Sequence, residues 1–149
     1  MAEETLQWGG RFTAPPNAAL LAFGSSLEDD LVLAPFDVEC SHGHVEALRA
    51  GGLLDEGSAA ELHGALDAVA GEIAAGTFAA FARRGKFEDV HGAIDARVRE
   101  LAPDAGASLH AGRSRNDQVA TTLLLYARDR ANTGARLAAP RAPELTEAK

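Results

Sequence analysis

The chain has 149 residues, a hydrophobic content of 46% and a formal charge of −8 at neutral pH. That is enough for one globular domain with its own core. The acidity argues against nucleic acid and anionic membranes as partners, because both need a basic surface that releases counterions. The single cysteine, Cys40, excludes an internal disulfide, no run reaches the roughly eighteen apolar residues of a membrane span, and the acidic N-terminus has no signal-like apolar core. The expected setting is the cytoplasm. Aromatic residues are few and alanine is abundant, which favours close-packed helices over strands and gives an all-α fold class.

Residues 1–16, with Gly9, Gly10, Pro15 and Pro16 and no periodicity, read as an extended arm anchored by Trp8 and Phe12. A short helix is expected from Asn17 to Phe23. After Gly24-Ser25-Ser26 a second segment starts at Leu27, and Pro35 interrupts it. Val38, Val45 and Leu48 form a helical stripe from Asp37 to the Gly51-Gly52 stop. Ser58 and Glu61 read as a capping box that opens a stripe of Leu62, Leu66, Val69 and Ile73, closed by Gly76.

Phe87 to His91 starts another helix, with Val90, Ile94, Val98 and Leu101 on one face and Pro103 at its end. Residues 104–108 read as a loop. Ser114 with Asp117 resembles a helix start, and Val119, Leu123, Tyr126 and Arg130 follow at helical spacing. Beyond Ala131 the stripe is lost and Pro140 and Pro143 intervene, so residues 132–149 are expected to form a disordered tail.

Chemistry concentrates in Gly112-Arg-Ser-Arg-Asn-Asp-Gln118. Arg113, Ser114, Arg115, Asn116 and Gln118 gather where the first N–H groups of a helix are unpaired and its dipole is positive, which suits an anion. Arginine grips a carboxylate with two parallel hydrogen bonds and asparagine adds a neutral donor, so a dicarboxylate or amino acid is the natural ligand. The competing reading is that the arginines pair with surface acids while Ser114 and Asp117 cap the helix.

His91, beside Glu88 and Asp89, fits either a substrate contact or proton donor, or a partly buried histidine satisfied by a carboxylate. His110 has the same two readings. Ser25 and Ser26 either project into a cleft or cap a helix. Cys40, His42 and His44 do not make a metal site, because residues two apart on a helix point about 200° away from each other. No phosphate loop, nucleophile elbow or CxxC pair is present, which leaves acid–base work on a carboxylate as the supported chemistry.

Taken in order, WGGRF (8–12), the Ser25-Ser26 turn, AGGLL (50–54), AAGTF (74–78), EDVH (88–91) and LHAGRSRNDQVAT (109–121) resemble the N-terminal part of argininosuccinate lyase, in the fumarase and aspartase superfamily. The resemblance covers Trp8 to about Arg130. It implies an N-terminal helical domain (1–111) followed by the first helix of a long central bundle (112–131), assembled as a homotetramer with shared active sites. It further implies reversible β-elimination of argininosuccinate to arginine and fumarate, in arginine biosynthesis or the urea cycle, with no metal or organic cofactor.

By motif, Ser26, Asp89 and His91 resemble substrate contacts. Arg113, Ser114, Arg115 and Asn116 resemble the segment holding the succinyl part, and Gln118 its support. Ala111 and Thr122 stand where the family usually has threonine and aspartate. The family's threonine-histidine motif and the mobile serine-bearing loop that supplies the catalytic base have no counterpart in this sequence, so no catalytic residue is expected here. The expectation is a truncated lyase that self-associates or is unstable alone. The alternative is a non-catalytic remnant or assembly module keeping part of the pocket.

Overall fold

A computed structural model describes residues 17–139, apart from Lys86 and the side chain of Leu21. The extended arm (1–16) and the last ten residues lie outside this range. Among the described residues there are helices and no strands, which establishes the all-α class.

Two short helices, α1 (Ala18–Gly24) and α2 (Leu27–Asp30), lead through a 3-10 turn, Leu31–Leu33, into α3 (Ala34–Ala50). Pro35 does not interrupt this helix but begins it: it occupies the first turn, where a missing N–H costs nothing and the fixed φ suits the helix. Gly52, at φ +70°, provides the left-handed residue that ends α3, and Leu53 N donates to Leu48 O at 2.9 Å across the stop.

Next come α4 (Glu56–Ala74) and α5 (Phe78–Gly85). The cap of α4 is Asp55, whose carboxylate accepts from Ser58 N at 2.7 Å, so the Ser58–Glu61 box is not formed. Aspartate one turn earlier is as good a cap as serine, and it captures the orphan N–H first. Glu61 serves the far end of another helix instead, accepting from Asp104 N (3.3 Å) and Ala105 N (3.4 Å). Helix α5 has no counterpart in the sequence reading. Its eight residues bury only Phe78 and Ala82, too few for a stripe to show.

After α6 (Val90–Leu101) and a 3-10 turn, Gly106–His110, comes α7 (Arg115–Ala138). The expected disordered tail from residue 132 is overturned as far as Ala138. Loss of an apolar stripe does not end a helix whose alanines and arginines still favour it, and Pro140 lies beyond the last turn.

Helix α3 is the centre, packing against α4, α6 and α7. Val38, Val45, Leu62, Leu66, Val69, Phe78, Val90, Ile94, Val98 and Leu109 close the core. Leu101, expected on the same face as Ile94, is 37% exposed. At the periphery Arg97 ties α6 to Glu72 of α4 while lying 5.2 Å over the Phe81 ring. No single described helix is long and apolar enough to cross a membrane; the one composite candidate, α4 with α5, bends by 101° at its break.

The α7 helix inverts the usual pattern. Its core-facing residues are Gln118 and Thr122, whereas Val119, Leu123, Leu124 and Leu137 are exposed. Tyr126 adds an edge-on contact with Phe36 of α3, ring centroids 5.7 Å apart.

Candidate functional site

The GRSRNDQ segment forms the entrance to α7. Gly112 adopts φ +63°, a left-handed conformation that costs a glycine nothing and turns the chain from the 3-10 segment into the helix. Ser114 is the N-cap, its backbone extended and its Oγ accepting from Asn116 N at 3.2 Å. Asn116 and Asp117 are exposed at the first turn, where the backbone donors and dipole face outward.

The two arginines diverge. Arg113 reaches back to α3, where its Nη1 donates to Ser41 Oγ at 3.0 Å and its Nη2 to Cys40 Sγ at 2.9 Å. An open hollow of about 240 Å³ lies beside it, between Cys40 and His44 of α3 and the segment from Gly112 to Thr121. Arg115 turns the other way. Its Nη1 donates to Gln118 Oε1 at 2.7 Å, and its Nε stands 3.9 Å from Asp89 Oδ2, beyond hydrogen-bond reach. Nε and Nη2 are both closed off from water and have no hydrogen-bond partner.

Beneath Arg115 lies a buried polar network. Gln118 Nε2 donates to both carboxylate oxygens of Asp37, at 2.8 and 3.1 Å, and Thr122 Oγ1 donates to Oδ1 at 3.3 Å. His91 Nδ1 lies 3.3 Å from the same oxygen, outside hydrogen-bond alignment. All four side chains are buried. The network fixes the amide of Gln118, since only its oxygen can accept from Arg115 and only its nitrogen can donate to Asp37.

The helix starting at Val90 supplies the next wall. Asp89 is its N-cap, accepting from Gly92 N at 2.6 Å, so helix α6 begins three residues after the expected Phe87. The Ser25-Ser26 turn is pinned to the preceding residue: Ser26 N donates to Glu88 O at 2.8 Å and Ser25 Oγ to the same oxygen at 3.2 Å. Ser26 Oγ donates to Asp30.

Arg115 and Gln118 are hydrogen-bonded, Asp89 stands 3.9 Å from Arg115, Ser26 is held through its backbone to the neighbour of Asp89, and Ser114 and Asn116 sit at the same helix end. His91 is placed beneath this group rather than at its surface, and Arg113 is bound to α3.

Electrostatics at the entrance rest on the arginines. Partial burial first, then the Arg113 cation, hold His44 below the ordinary histidine value, against a backbone bond to Ala111 that pulls it up. Burial and then Arg115 do the same to His110. Both imidazoles thus resist adding charge beside the guanidinium groups.

The sequence reading missed Asp37, Ser41 and Thr122 as parts of this assembly. The signal was present: Ala34, Asp37, Val38, Ser41, Val45 and Leu48 form one continuous buried stripe, in which two polar residues occupy core positions.

A scan against models of known protein families finds no match. Among curated proteins, the argininosuccinate lyase of Mycobacterium leprae is 41% identical over 122 residues, covering 82% of this chain and 26% of that enzyme. The Streptomyces coelicolor enzyme of the same name is 42% identical over 126 residues, 85% of this chain and 26% of its own. That of Acidothermus cellulolyticus is 45% identical over 122 residues, 82% and 24%. The chain spans about a quarter of the length of these relatives. Over about four-fifths of its own length it is thus similar to an N-terminal portion of argininosuccinate lyase.

Proposed function

We propose that this chain supplies the succinyl-binding portion of an argininosuccinate lyase, a carbon–nitrogen lyase that reversibly eliminates fumarate from argininosuccinate and leaves arginine. The observation that carries this reading is Arg115. Its Nε and Nη2, buried and without a hydrogen-bond partner while Asp89 stands 3.9 Å off, form the side-on edge of the guanidinium, spaced for the two oxygens of one carboxylate once Asp89 and the cover over them give way.

In this reading Arg115, Asn116, Ser26 and the Ser114-capped helix end contact the ligand. Asp89 gives up its distant approach to Arg115 as the carboxylate enters. Gln118 and His91 hold the group from below, and Arg113 ties the entrance to α3. During elimination a base removes the proton beside a carboxylate, the electron pair moves into the new C=C bond, and the C–N bond breaks as an acid protonates the departing guanidine. Charge building on the carboxylate is met by Arg115 and by the N-terminal donors of α7. The base and the acid belong to segments outside this sequence. Residues 112–131 begin the central bundle, the assembly is a homotetramer in the cytoplasm, the pathway is arginine synthesis or the urea cycle, and no cofactor takes part.

Calorimetry of the chain with argininosuccinate and with fumarate tests the pocket. Heat that is lost in Arg115→Ala and Asn116→Ala supports it, whereas equal heat in all three proteins removes Arg115 from the ligand. Mixing the chain with the remaining segments of a relative and following fumarate release tests the chemistry. Absence of both binding and release leaves the non-catalytic assembly module, which the exposed apolar side of α7 would serve.

A further inference from the structure

His42 and Glu46 lie four residues apart on α3, and His63 and Asp67 four apart on α4, so each pair shares one helix face. The two helices run antiparallel here, and the pairs meet crosswise. His42 Nδ1 is 2.6 Å from His63 Nδ1, His63 Nε2 is 2.9 Å from Glu46 Oε1, and His42 Nε2 is 3.4 Å from Asp67 Oδ1. Both imidazoles are about 30% exposed, with side-chain values of 30% and 28%.

The ring planes are 10° apart and the centroids 4.9 Å apart. Stacked rings keep their atoms about 3.5 Å apart or more, so a nitrogen–nitrogen distance of 2.6 Å excludes face-to-face stacking. The centroids are farther apart than the nitrogens by about two ring radii. The rings therefore lie end to end in nearly one plane, each Nδ1 aimed at the other.

Proton counting follows. His63 Nε2 is bonded to the Glu46 carboxylate, which only accepts, and so carries hydrogen; the Asp67 charge 3.4 Å from His42 Nε2, outside hydrogen-bond alignment, repels a bare lone pair and favours hydrogen there too. Two neutral rings so arranged would oppose bare lone pairs at Nδ1. One added proton turns that opposition into an N–H···N hydrogen bond, and a second would set N–H against N–H. We propose that His42 and His63 form a site for one shared proton, a monocation clamped between Asp67 and Glu46 that fastens α3 to α4 and refuses a second proton.

Burial and then the charge of His63 hold His42 below the ordinary histidine value, against the pull of Asp67, in the sense this refusal requires. The other charged groups at the clamp are Arg49, which donates to Glu46 from Nε (3.1 Å) and Nη2 (2.9 Å), and Glu56, which accepts from Arg49 at 2.8 Å. On α6, Arg97 and Arg99 are engaged with Glu72 and Asp95 instead. On α7, Gln118 and Thr122 meet α3 at Asp37, and Arg128 faces Glu39. A metal ion between the two nitrogens needs a span of about 4 Å when the ligands are opposed, too long for the observed gap.

The test is a pH titration of the 149-residue chain labelled with ¹⁵N at its five histidines, read from two-bond ¹H–¹⁵N spectra, with His42→Asn and His63→Asn identifying the signals. The expected result is that both Nδ1 signals move together in one step, both Nε2 atoms stay protonated, and the second proton enters at least about one pH unit below the first. Each variant leaves the remaining ring with a single uncoupled step. Two independent single steps in the wild-type chain overturn the proposal, as do spectra that change when EDTA is added. The wild-type pattern decides the matter even if a variant does not fold, because coupled and independent titrations differ in shape.

Discussion

Replacing Asp37 is the sharpest perturbation the structure offers, because one buried carboxylate holds α7 to α3 through Gln118 and Thr122. In Asp37→Ala both donors lose their acceptor, His91 loses its neighbour, and a small void opens beneath Arg115. Leaving two buried neutral donors without an acceptor costs about 1–3 kcal/mol each, so about 3–5 kcal/mol together. Asp37→Asn keeps the volume and one acceptor oxygen. It places an amide nitrogen against either Gln118 Nε2 or Thr122 Oγ1, so its cost is about 1–3 kcal/mol, that of one mismatched buried donor. With a urea dependence of about 2 kcal/mol/M, the alanine variant's unfolding midpoint falls by about 2 M and the asparagine variant's by about half that. Urea titrations followed by far-ultraviolet circular dichroism at pH 7 measure both. Equal midpoints for the two variants, or a loss in Asp37→Ala below about 1 kcal/mol, would refute the reasoning that a directional network carries the attachment of α7.

Acidification weakens the fold through His44 and His110, whose values are both lowered by the folded state, with burial the first cause of each. A lowered folded value means the unfolded chain binds protons more readily, so this stability is complete above about pH 6.5 and lost as pH falls through the depressed values. Denaturation midpoints at pH 7 and pH 5 should show the decrease, and a higher midpoint at pH 5 contradicts it. Gly112→Ala should cost about 1–2 kcal/mol from its φ of +63° alone, since an added Cβ meets nothing within 4 Å. Gly106→Ala should cost more, because its Cβ would come 2.7 Å from Arg99 Cα; thermal melts rank the two, and the reverse order counts against this account. The chain should associate with rising concentration through Leu123 and Leu124, which are 53% and 70% exposed. Light scattering of Leu123→Glu with Leu124→Glu should then report monomer, and an unchanged association would point to another surface.

Apolar spacing was a sound guide wherever a helix buries leucine, valine and isoleucine. Val38, Val45 and Leu48, then Leu62, Leu66 and Val69, then Val90, Ile94 and Val98 all lie in the core as their periods predict. It failed where the core is polar. On α7 the period drew attention to Val119 and Leu123, which face solvent, while Gln118 and Thr122 face inward because a carboxylate on another helix waits for their donors. That partner is 81 residues away in sequence, so no local pattern announces it.

Caps were legible as residue types but not as positions. Asp55 and Ser58 are both good caps, and only the fold decides which one receives the first N–H. At the candidate site the motif marked the start of a helix, and α7 does begin at Arg115 with Ser114 as its cap. It could not separate Arg113, which braces α3, from Arg115, which holds two buried donors without a hydrogen-bond partner, since both are arginines one serine apart.

The polar seam between α7 and α3 has a consequence for rotational register. Apolar contacts tolerate a helix turning or sliding slightly, because any methyl group fills space nearly as well as its neighbour. Gln118 and Thr122 do not, since a slip of one residue swings side chains by about 100° and would bring Val119 to Asp37 in place of an amide. The seam acts as a keyway: it admits α7 in one angular setting. The leucines on the outer side are therefore held at a fixed bearing relative to the domain, so whatever packs on that ridge is presented with a rigidly aimed edge.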